Sequence, residues 1–385
     1  MNIRFSFLLF YLFVFSAACQ LESTDAAASE NNEQRDYFPT EYKWGYINHS
    51  GKTVIKPTFD DNRNFHEGLA AVRSGDKWGF IDKAGNFSIP PKFKAVWGFK
   101  NGIARVQTFA NKMGFIDKNG NWTIEATFEE LSDFSEGLAV YKSEYNYGYI
   151  DMDGNQKITA KYQKAYPFVN NVGKVKMNNK YGLIDVDGKE IVPIKYKRVG
   201  NLNEGLVRVK NENGYQYMTA NHQLKINKQF KNCTDFVNGV AAAKEAELYG
   251  LIDLTGNFVV APKYNQLFSA HEDKWIAEID GKFSLIDAIG NTITEKEYDQ
   301  IDVYSEGMAG FRVGYLYGFL DVNGQELTPA HFGLIWSCQE GKARAAFREG
   351  IGFIDNKGNL AIAPNYLDVR DFSEGLARVQ LRSWF

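Results

Sequence analysis

"KWGFIDKAGN" (residues 77–86) returns along the chain with small changes, for example as "NKMGFIDKNGN" at 111–121 and "GIGFIDNKGN" at 350–359. An aromatic or large apolar residue followed by a small residue marks the register of each copy. Successive marks are 34 residues apart, except for one step of 35. A fixed period of this length indicates a tandem array of one supersecondary unit. The register residues are Trp44, Trp78, Met113, Tyr147, Tyr181, Tyr215, Tyr249, Phe283, Tyr317 and Ile351.

Each unit has the sequence pattern of short β-strands. The segments "LAAVR" (69–73), "WGFID" (78–82) and "NFSI" (86–89) are rich in aromatic and β-branched residues, and "SGDK" and "DKAG" separate them. Such runs between glycine-containing turns are typical of antiparallel hairpins. We therefore expect a three-stranded antiparallel unit followed by a loop, "PPKFKAVWGF" (90–99). No helical period is found apart from the N-terminal segment.

A small residue follows the register residue in nine of ten units, Gln216 being the exception. Glycine inside a strand is typical of a place where another backbone approaches closely. We expect this position to allow close approach of the neighbouring sheet. The residues of this repeat signature are Trp44, Gly45, Trp78, Gly79, Gly114, Gly148, Gly182, Gly250, Gly318 and Gly352.

The period, the aromatic-Gly-aromatic-Ile-Asp core, the glycine turn and the recurring "EGLA" resemble the WG-repeat family, also called KWG repeats. The resemblance covers residues 37–385. The sixth unit ("GYQYMTANHQ") and the eighth ("GKFSLIDAIG") depart from the pattern. The resemblance implies a non-catalytic repeat scaffold, and the family has no catalytic residues to carry over to this chain.

The order of strands at the two ends allows two architectures. The array opens at Trp44 in the second predicted strand of a unit, and "FSEGLARVQLRSWF" (372–385) ends it in a first strand. A late first strand that pairs with early second and third strands would close a propeller-like ring. Ten units exceed the usual four to eight blades. We therefore expect an all-β, open superhelical array of about ten units, with a closed β-propeller-like ring as the alternative.

The N-terminus has the pattern of an export signal. "FSFLLFYLFVF" (5–15) is an apolar run after Arg4, too short to span a bilayer, and Ser16, Ala17 and Ala18 precede Cys19. This resembles the lipobox of bacterial lipoproteins, from which Ser16 departs. We predict a signal peptide (1–18), a lipid on Cys19 and a polar tether (19–36) before the array (37–385). An ordinary secretory signal is the alternative.

Composition narrows the choice of partner. The chain has 385 residues, with 44 Lys+Arg against 47 Asp+Glu and a net charge of −3. This balance gives no electrostatic basis for binding nucleic acid. We expect contact with a membrane only through the lipid anchor.

Two acidic positions, one Asp and one Glu, recur along the array. An Asp follows the core at Asp82, Asp117, Asp151, Asp185, Asp253, Asp287, Asp321 and Asp355. The twelfth residue of a calcium loop starting at Asp151 would be Tyr162 rather than Glu, so we expect each Asp to cap its own turn. The Glu of "EGLA" is expected in a solvated turn, with a cation-binding or partner-binding row as the alternative. It recurs at Glu67, Glu136, Glu204, Glu306, Glu340 and Glu374.

Other candidate sites are sparse. The histidines His49, His66, His222, His271 and His331 lack metal-ligand spacing, so we expect no metal, no cofactor and no catalytic residue. Trp97, Trp122, Trp275 and Trp336 lie outside the repeat's own Trp position and are candidate platforms for sugars or partners. The stretch "SAHEDKWIAEIDGKFS" (269–284) departs most from the pattern. We interpret His271, Asp273 and Trp275 as a candidate recognition patch.

These observations favour a non-catalytic cell-envelope scaffold that presents an extended surface to another envelope protein. A module that binds envelope polysaccharide or peptidoglycan is the alternative, and an enzyme with a site in a central channel is a second one. The scaffold would be lipid-anchored, or secreted in the alternative. Cys233 and Cys338 lie three units apart, too far for a disulfide, and are predicted to be free and mostly buried.

Overall fold

The computed structural model describes residues 42–382, which belong to one compact unit, and every regular element among them is a β-strand. The strands form ten small antiparallel sheets, eight with four strands and two with three. We call each sheet a blade and number the blades in chain order. Each register residue lies in the third strand of its blade, except Tyr147, which lies in the second strand of the three-stranded blade 4. The predicted signal peptide, Cys19 and the tether lie outside the described residues.

Blade 1 combines both ends of the described chain, and blades 2 to 5 follow it. The strands of blade 1 are Tyr42–Asn48 (β1), Thr53–Phe59 (β2), Asp368–Ser373 (β37) and Leu376–Arg382 (β38). Those of blades 2 and 3 are Asp61–His66 (β3), Leu69–Ser74 (β4), Lys77–Ile81 (β5), Phe87–Phe93 (β6), Ala95–Val96 (β7), Ile103–Gln107 (β8), Met113–Asp117 (β9) and Trp122–Phe128 (β10). Those of blades 4 and 5 are Ala139–Ser143 (β11), Asn146–Ile150 (β12), Gln156–Tyr162 (β13), Lys164–Ala165 (β14), Gly173–Met177 (β15), Lys180–Ile184 (β16) and Glu190–Tyr196 (β17).

The strands of blades 6 to 10 follow those of blade 5 along the chain. Those of blades 6 and 7 are Arg198–Asn203 (β18), Leu206–Lys210 (β19), Tyr215–Thr219 (β20), Leu224–Phe230 (β21), Asn232–Cys233 (β22), Val240–Glu245 (β23), Leu248–Asp253 (β24) and Phe258–Tyr264 (β25). Those of blades 8 to 10 are Gln266–His271 (β26), Lys274–Ile279 (β27), Lys282–Ile286 (β28), Gln300–Ile301 (β29), Ala309–Val313 (β30), Leu316–Leu320 (β31), Glu326–Phe332 (β32), Leu334–Gln339 (β33), Lys342–Ala346 (β34), Ile351–Asp355 (β35) and Leu360–Tyr366 (β36).

The predicted unit is therefore one strand short. The segment 90–99, expected to be a loop, contains the end of β6 and the whole of β7, which is the first strand of the next blade. Pro90 and Pro91 fit inside β6 because the strand bulges there: Trp78 pairs with Phe93 and Phe80 with Ile89, so four steps on β6 oppose two on β5. A proline lacks the N–H that a regular ladder requires, and a bulge tolerates this.

The signature glycine is also explained by that bulge. A Cβ on Gly79 would lie 2.5 Å from the carbonyl oxygen of Ile89 and 2.7 Å from the nitrogen of Pro91. Both atoms belong to β6 of the same blade. Our expectation that the glycine admits the neighbouring sheet is therefore wrong: it admits the adjacent strand of its own sheet.

The array closes on itself, so the open superhelix is wrong and the alternative ring is correct. β1 pairs antiparallel with β38 over seven residue pairs, from Tyr42 with Arg382 to Asn48 with Leu376. The sheet order β2-β1-β38-β37 is the order found in a four-stranded blade such as β6-β5-β4-β3. Pairing across the two ends leaves no unmatched strand at the centre of blade 1 and gives a ten-bladed, propeller-like ring.

The hydrophobic core lies mostly between blades. One cluster joins Trp78, Phe80 and Ile89 of blade 2 to Phe99 and Val106 of blade 3. Each blade is a single sheet of three or four strands, so it buries its apolar faces against its neighbours rather than against itself. The sequence repeats because each blade must present a face that packs against the next blade.

Candidate binding surface

The turns between the first and second strands of the blades have an unusual backbone. In blade 2, Glu67 has a φ of 52° and Gly68 a φ of 85°. Two successive residues with positive φ are typical of a tight type I′ hairpin, in which Asn-Gly or Asp-Gly is strongly preferred. Glutamate at the first position therefore needs another reason, because its side chain gains nothing from the left-handed conformation itself.

The reason is a hydrogen bond to the next blade. Glu67 Oε2 accepts the backbone N–H of Gly102, 2.9 Å away, in the equivalent turn of blade 3. The same contact joins Glu306 to Gly341 at 2.7 Å and Glu374 to Gly68 at 2.9 Å. Glutamates 136, 204 and 340 make it as well. These glutamates lie in turns and are exposed, apart from the half-buried Glu374, as expected. Their carboxylates also bind neighbouring blades together, a role that the sequence did not suggest.

The electrostatics of these glutamates follow from the same contacts. Partial burial alone would raise the pKa of the Glu67 carboxyl, but the N–H of Gly102 and the ammonium of Lys118 outweigh it and lower the pKa. Glu374 has a lowered pKa for the same reasons, with Gly68 and Lys83 as its partners. The ionised form is therefore the form that holds the blades together.

The recurring aspartates cap their own turns, as predicted. Asp82 Oδ1 accepts the backbone N–H of Ala84 at 2.9 Å and that of Asn86 at 2.8 Å. Asp117 repeats both contacts with Asn119 and Asn121. Within residues 42–382, no group of three or more His, Cys, Asp or Glu is arranged to hold a metal ion. Each of these carboxylates is used by the hairpin in which it lies.

The candidate recognition patch is only partly at the surface. Trp275 is 3% exposed and packs in the core between blades 7 and 8, so it cannot face a partner and that part of the prediction is wrong. It occupies the inward-facing repeat position that Ala70 holds in blade 2. His271 and Asp273 are exposed in a turn with positive φ. Between them, Glu272 accepts the N–H of Gly307 at 3.0 Å, so the divergent sequence keeps the link between blades.

The other unusual tryptophans do not form a row of free rings. The guanidinium of Arg105 lies 3.8 Å from the ring centre of Trp97, and that of Arg344 lies 4.5 Å from Trp336. Trp122 is 37% exposed. Cation–π stacking holds both arginines in place and occupies one face of each ring. A sugar-binding platform built from these tryptophans is therefore not favoured.

The cysteine prediction is confirmed. Cys233 and Cys338 are both free and buried. Burial raises the pKa of the Cys233 thiol to about 11 and that of the Cys338 thiol to about 12. Thiols in this state are poor nucleophiles at neutral pH.

Open grooves lie between blades. One of about 470 Å³ lies where blades 3 to 5 meet and has mixed charge, with Arg105, Lys142, Glu130 and Asp133 in its lining. Grooves of this kind offer area and charge to a partner. Among the described residues, no helix is long and apolar enough to cross a membrane.

Comparison with known proteins identifies the repeat. The model of the "WG containing repeat" matches eight segments, at residues 44–78, 78–108, 113–146, 147–181, 181–215, 249–283, 283–317 and 351–383. No curated protein matches the chain.

The solved structures that match this chain are only distantly related to it in sequence. A eukaryotic initiation factor is 12% identical, with a TM-score of 0.49 over 77% of this chain and 95% of that chain. BamB from Moraxella catarrhalis is 12% identical, with a TM-score of 0.38 over 84% and 97%. The WD40 β-propeller domain of Doa1 is 12% identical, with a TM-score of 0.27 over 56% and 90%.

Proposed function

The chain belongs to the family defined by the WG-containing repeat, and we propose that it is a non-catalytic scaffold that binds another protein through the surface of its ring. One observation carries the proposal: the recurring polar residues are used to build the ring. Asp82 and its equivalents close turns, and Glu67 and its equivalents join blades. What varies between blades, and therefore can distinguish a partner, is the surface between these fixed contacts.

The contacts of His49 support this proposal over an enzyme in a channel. Its Nε2 lies within hydrogen-bond distance of Glu340 Oε2, at 3.1 Å. The same Glu340 oxygen accepts the N–H of Gly375, and the His49 ring stacks on Phe372 with ring centres 4.2 Å apart. This histidine therefore packs at the junction of blades 10 and 1, where it contributes to the link between them.

We place the scaffold in the cell envelope, and this part of the proposal rests on the sequence alone. The apolar run at 5–15 and Cys19 are the features that support it. Lipidation is tested by expressing the full chain with an alkyne-bearing fatty acid and measuring label on the protein. We expect Cys19→Ala to remove the label and Cys233→Ala to keep it. Equal labelling of both variants would contradict lipidation at Cys19.

Binding is tested by using the full chain, purified in detergent, to retain proteins from a solubilised envelope fraction. We expect one or a few proteins to be retained specifically. Purified polysaccharide and peptidoglycan serve as a second arm of the experiment. Retention by these glycans, with no protein partner, would overturn the proposal in favour of the glycan-binding module. Retention of neither would refute both.

A further inference from the structure

Charge is distributed very unevenly around the ring. Residues 163–264, which cover blades 5 to 7, contain 15 Lys+Arg and 9 Asp+Glu. Residues 265–380, which cover blades 8 to 10 and the C-terminal part of blade 1, contain 10 Lys+Arg and 18 Asp+Glu. The small net charge of the chain therefore hides a basic sector beside an acidic one.

Two adjacent grooves concentrate the positive charge of the basic sector. The groove between blades 5 and 6 has a volume of about 400 Å³, and that between blades 6 and 7 about 340 Å³. Arg198 lines both, and no Asp or Glu lines either. We call them the basic grooves. Their lining residues are Tyr166, Lys174, Tyr181, Lys197, Arg198 and Val199 in the first, and Arg198, Lys210, Tyr215, Lys231, Asn232, Lys244 and Tyr249 in the second.

The tyrosines of these grooves position the lysines. The ammonium of Lys210 lies 4.9 Å from the ring centre of Tyr215, and that of Lys244 lies 5.3 Å from Tyr249. In the first groove Lys174 lies 5.2 Å from Tyr166. Cation–π attraction holds each ammonium over a ring face and covers that face. The grooves therefore present ordered positive charge rather than free aromatic faces, which favours a charged ligand over a sugar ring.

Two of the protein's own side chains show how carboxylates fit at the edge of the grooves. Glu247 contacts the ammonium groups of both Lys231 and Lys244, the latter at 3.6 Å. Glu212 likewise contacts Lys197 and, at 3.7 Å, Lys180. Both glutamate side chains are at least 70% exposed. Each carboxylate lies between two lysines, but the six cations that line the grooves exceed these two anions.

We propose that the basic grooves bind an acidic segment, rich in Asp and Glu, of the scaffold's protein partner. The inference rests on the proposed function and specifies the chemistry of the partner. Carboxylates spaced along an extended chain match cations spaced from blade to blade, as Glu212 and Glu247 already do within the protein. Exposed charges of this kind act chiefly on the rate and specificity of association, so binding should weaken as salt is added.

The test uses fluorescent poly-L-glutamate as the probe, titrated with the full chain in detergent at low and high salt. The double variant Lys210→Glu/Lys244→Glu removes positive charge inside the second groove. The double variant Lys189→Glu/Lys225→Glu changes the net charge equally at exposed positions outside both grooves. We expect the groove variant to weaken binding more than tenfold and the control less than threefold. Far-UV circular dichroism checks the fold, and Lys210→Gln/Lys244→Gln replaces the reversal if that variant does not fold.

Three results would overturn the inference: no binding of poly-L-glutamate, an equal loss in both variants, or tighter binding of alginate, an anionic polysaccharide, at the same grooves. The groove variant is also used in the envelope retention experiment. If the partner is still retained in full, the acidic-segment inference fails while the scaffold proposal stands. If the wild-type chain retains no protein at all, the scaffold proposal itself fails.

Discussion

Blade 1 and blade 2 have almost the same structure but are built from the chain in different ways. Blade 2 is one continuous segment, whereas blade 1 takes two strands from each end of the described chain. Tyr46 packs on Phe65 with ring centres 4.9 Å apart at 63°, and Phe80 packs on Phe99 at 4.8 Å and 63°. A Cβ on Gly45 would lie 2.5 Å from the carbonyl oxygen of Ile55. A Cβ on Gly79 would lie at the same distance from the carbonyl oxygen of Ile89.

The difference between the blades lies in what joins the second and third strands. In blade 2 a short hairpin turn joins β4 to β5, which form five residue pairs. In blade 1 no turn joins β38 to β1, and the ladder has seven pairs. Non-covalent pairing therefore takes the place of a covalent turn. The comparison shows that the packing of a blade does not depend on chain connectivity. In blade 1 the ladder replaces the turn, alongside the contacts of Glu374 and His49 with the neighbouring blades.

Removing the closing ladder should have the largest effect on stability. Truncation after Ser373 deletes β38 and exposes both β1 and the blade faces that Leu376, Ala377 and Val379 cover. Burying each of the two larger aliphatic side chains, Leu376 and Val379, contributes about 1.5–3 kcal/mol, so we expect a loss of about 3–6 kcal/mol in the free energy of unfolding. Urea denaturation followed by tryptophan fluorescence measures it.

Truncation after Arg382 is the matched control and should change the free energy of unfolding little. If the chain ending at Ser373 unfolds at the same urea concentration and with the same slope, the ladder does not close the ring. The difference in connectivity between blades 1 and 2 would then have no effect on the free energy of unfolding.

The signature glycines should show the second-largest effect. Gly45→Ala and Gly79→Ala both place a methyl group against the backbone of the adjacent strand, and overpacking of this kind costs about 1–3 kcal/mol. We expect the two costs to agree within about 0.5 kcal/mol if the blades follow the same packing rules. Thermal and urea unfolding of the two variants measure this directly.

Ser284→Ala is the control at the equivalent position of blade 8. This blade has no regular fourth strand, only isolated bridges from Phe283 to Tyr298 and from Ile286 to Thr292, so a Cβ is already accommodated there. We expect a change below about 0.5 kcal/mol. A much larger cost for Gly45→Ala than for Gly79→Ala would show that the closing blade is packed under greater constraint.

The sequence predicted what is local to one repeat. The period, the strand at Trp78 and the capped turn at Asp82 follow from composition and spacing over about ten residues. The first strand of each blade was missed because Pro90 and Pro91 hide the end of β6, and β7 is two residues long. The role of Glu67 was missed because its partner Gly102 is 35 residues away.

Ring closure and the basic grooves depend on residues that are far apart in the sequence. The angle between neighbouring blades is set by many small contacts, such as those of Val96 and Phe99 with Phe80, and no single motif encodes it. The two grooves draw their cations from Lys174 to Lys244, across three repeats. A count of charge by repeat, rather than over the whole chain, is the sequence signal that could have revealed them.

The glutamates between blades should have a smaller effect. Glu374→Gln alters the link from blade 1 to blade 2, and Glu67→Gln alters that from blade 2 to blade 3. A hydrogen bond to a charged acceptor is stronger than one to a neutral acceptor, so we expect each variant to lose about 1 kcal/mol. Glu349→Gln, at an exposed turn, should lose almost nothing. A loss at Glu67 but none at Glu374 would show that the closing blade does not use the link that the other blades use.

The smallest effect is the pH dependence of these same links. Glu374 and Glu67 have folded-state pKa values below the ordinary value of 4.5, because N–H and ammonium partners outweigh the opposing effect of partial burial. Their contribution is therefore present in full above about pH 4.5 and is lost as the pH falls through the folded-state value. The melting-temperature difference between wild type and each glutamine variant should be constant from pH 7 to pH 5 and shrink towards pH 3.

A difference that persists unchanged at pH 3 would show that the charge of the carboxylate is not what holds the blades. If the difference for Glu374→Gln disappears at a higher pH than that for Glu67→Gln, the carboxylate at the closing blade is held less tightly than its counterpart inside the array.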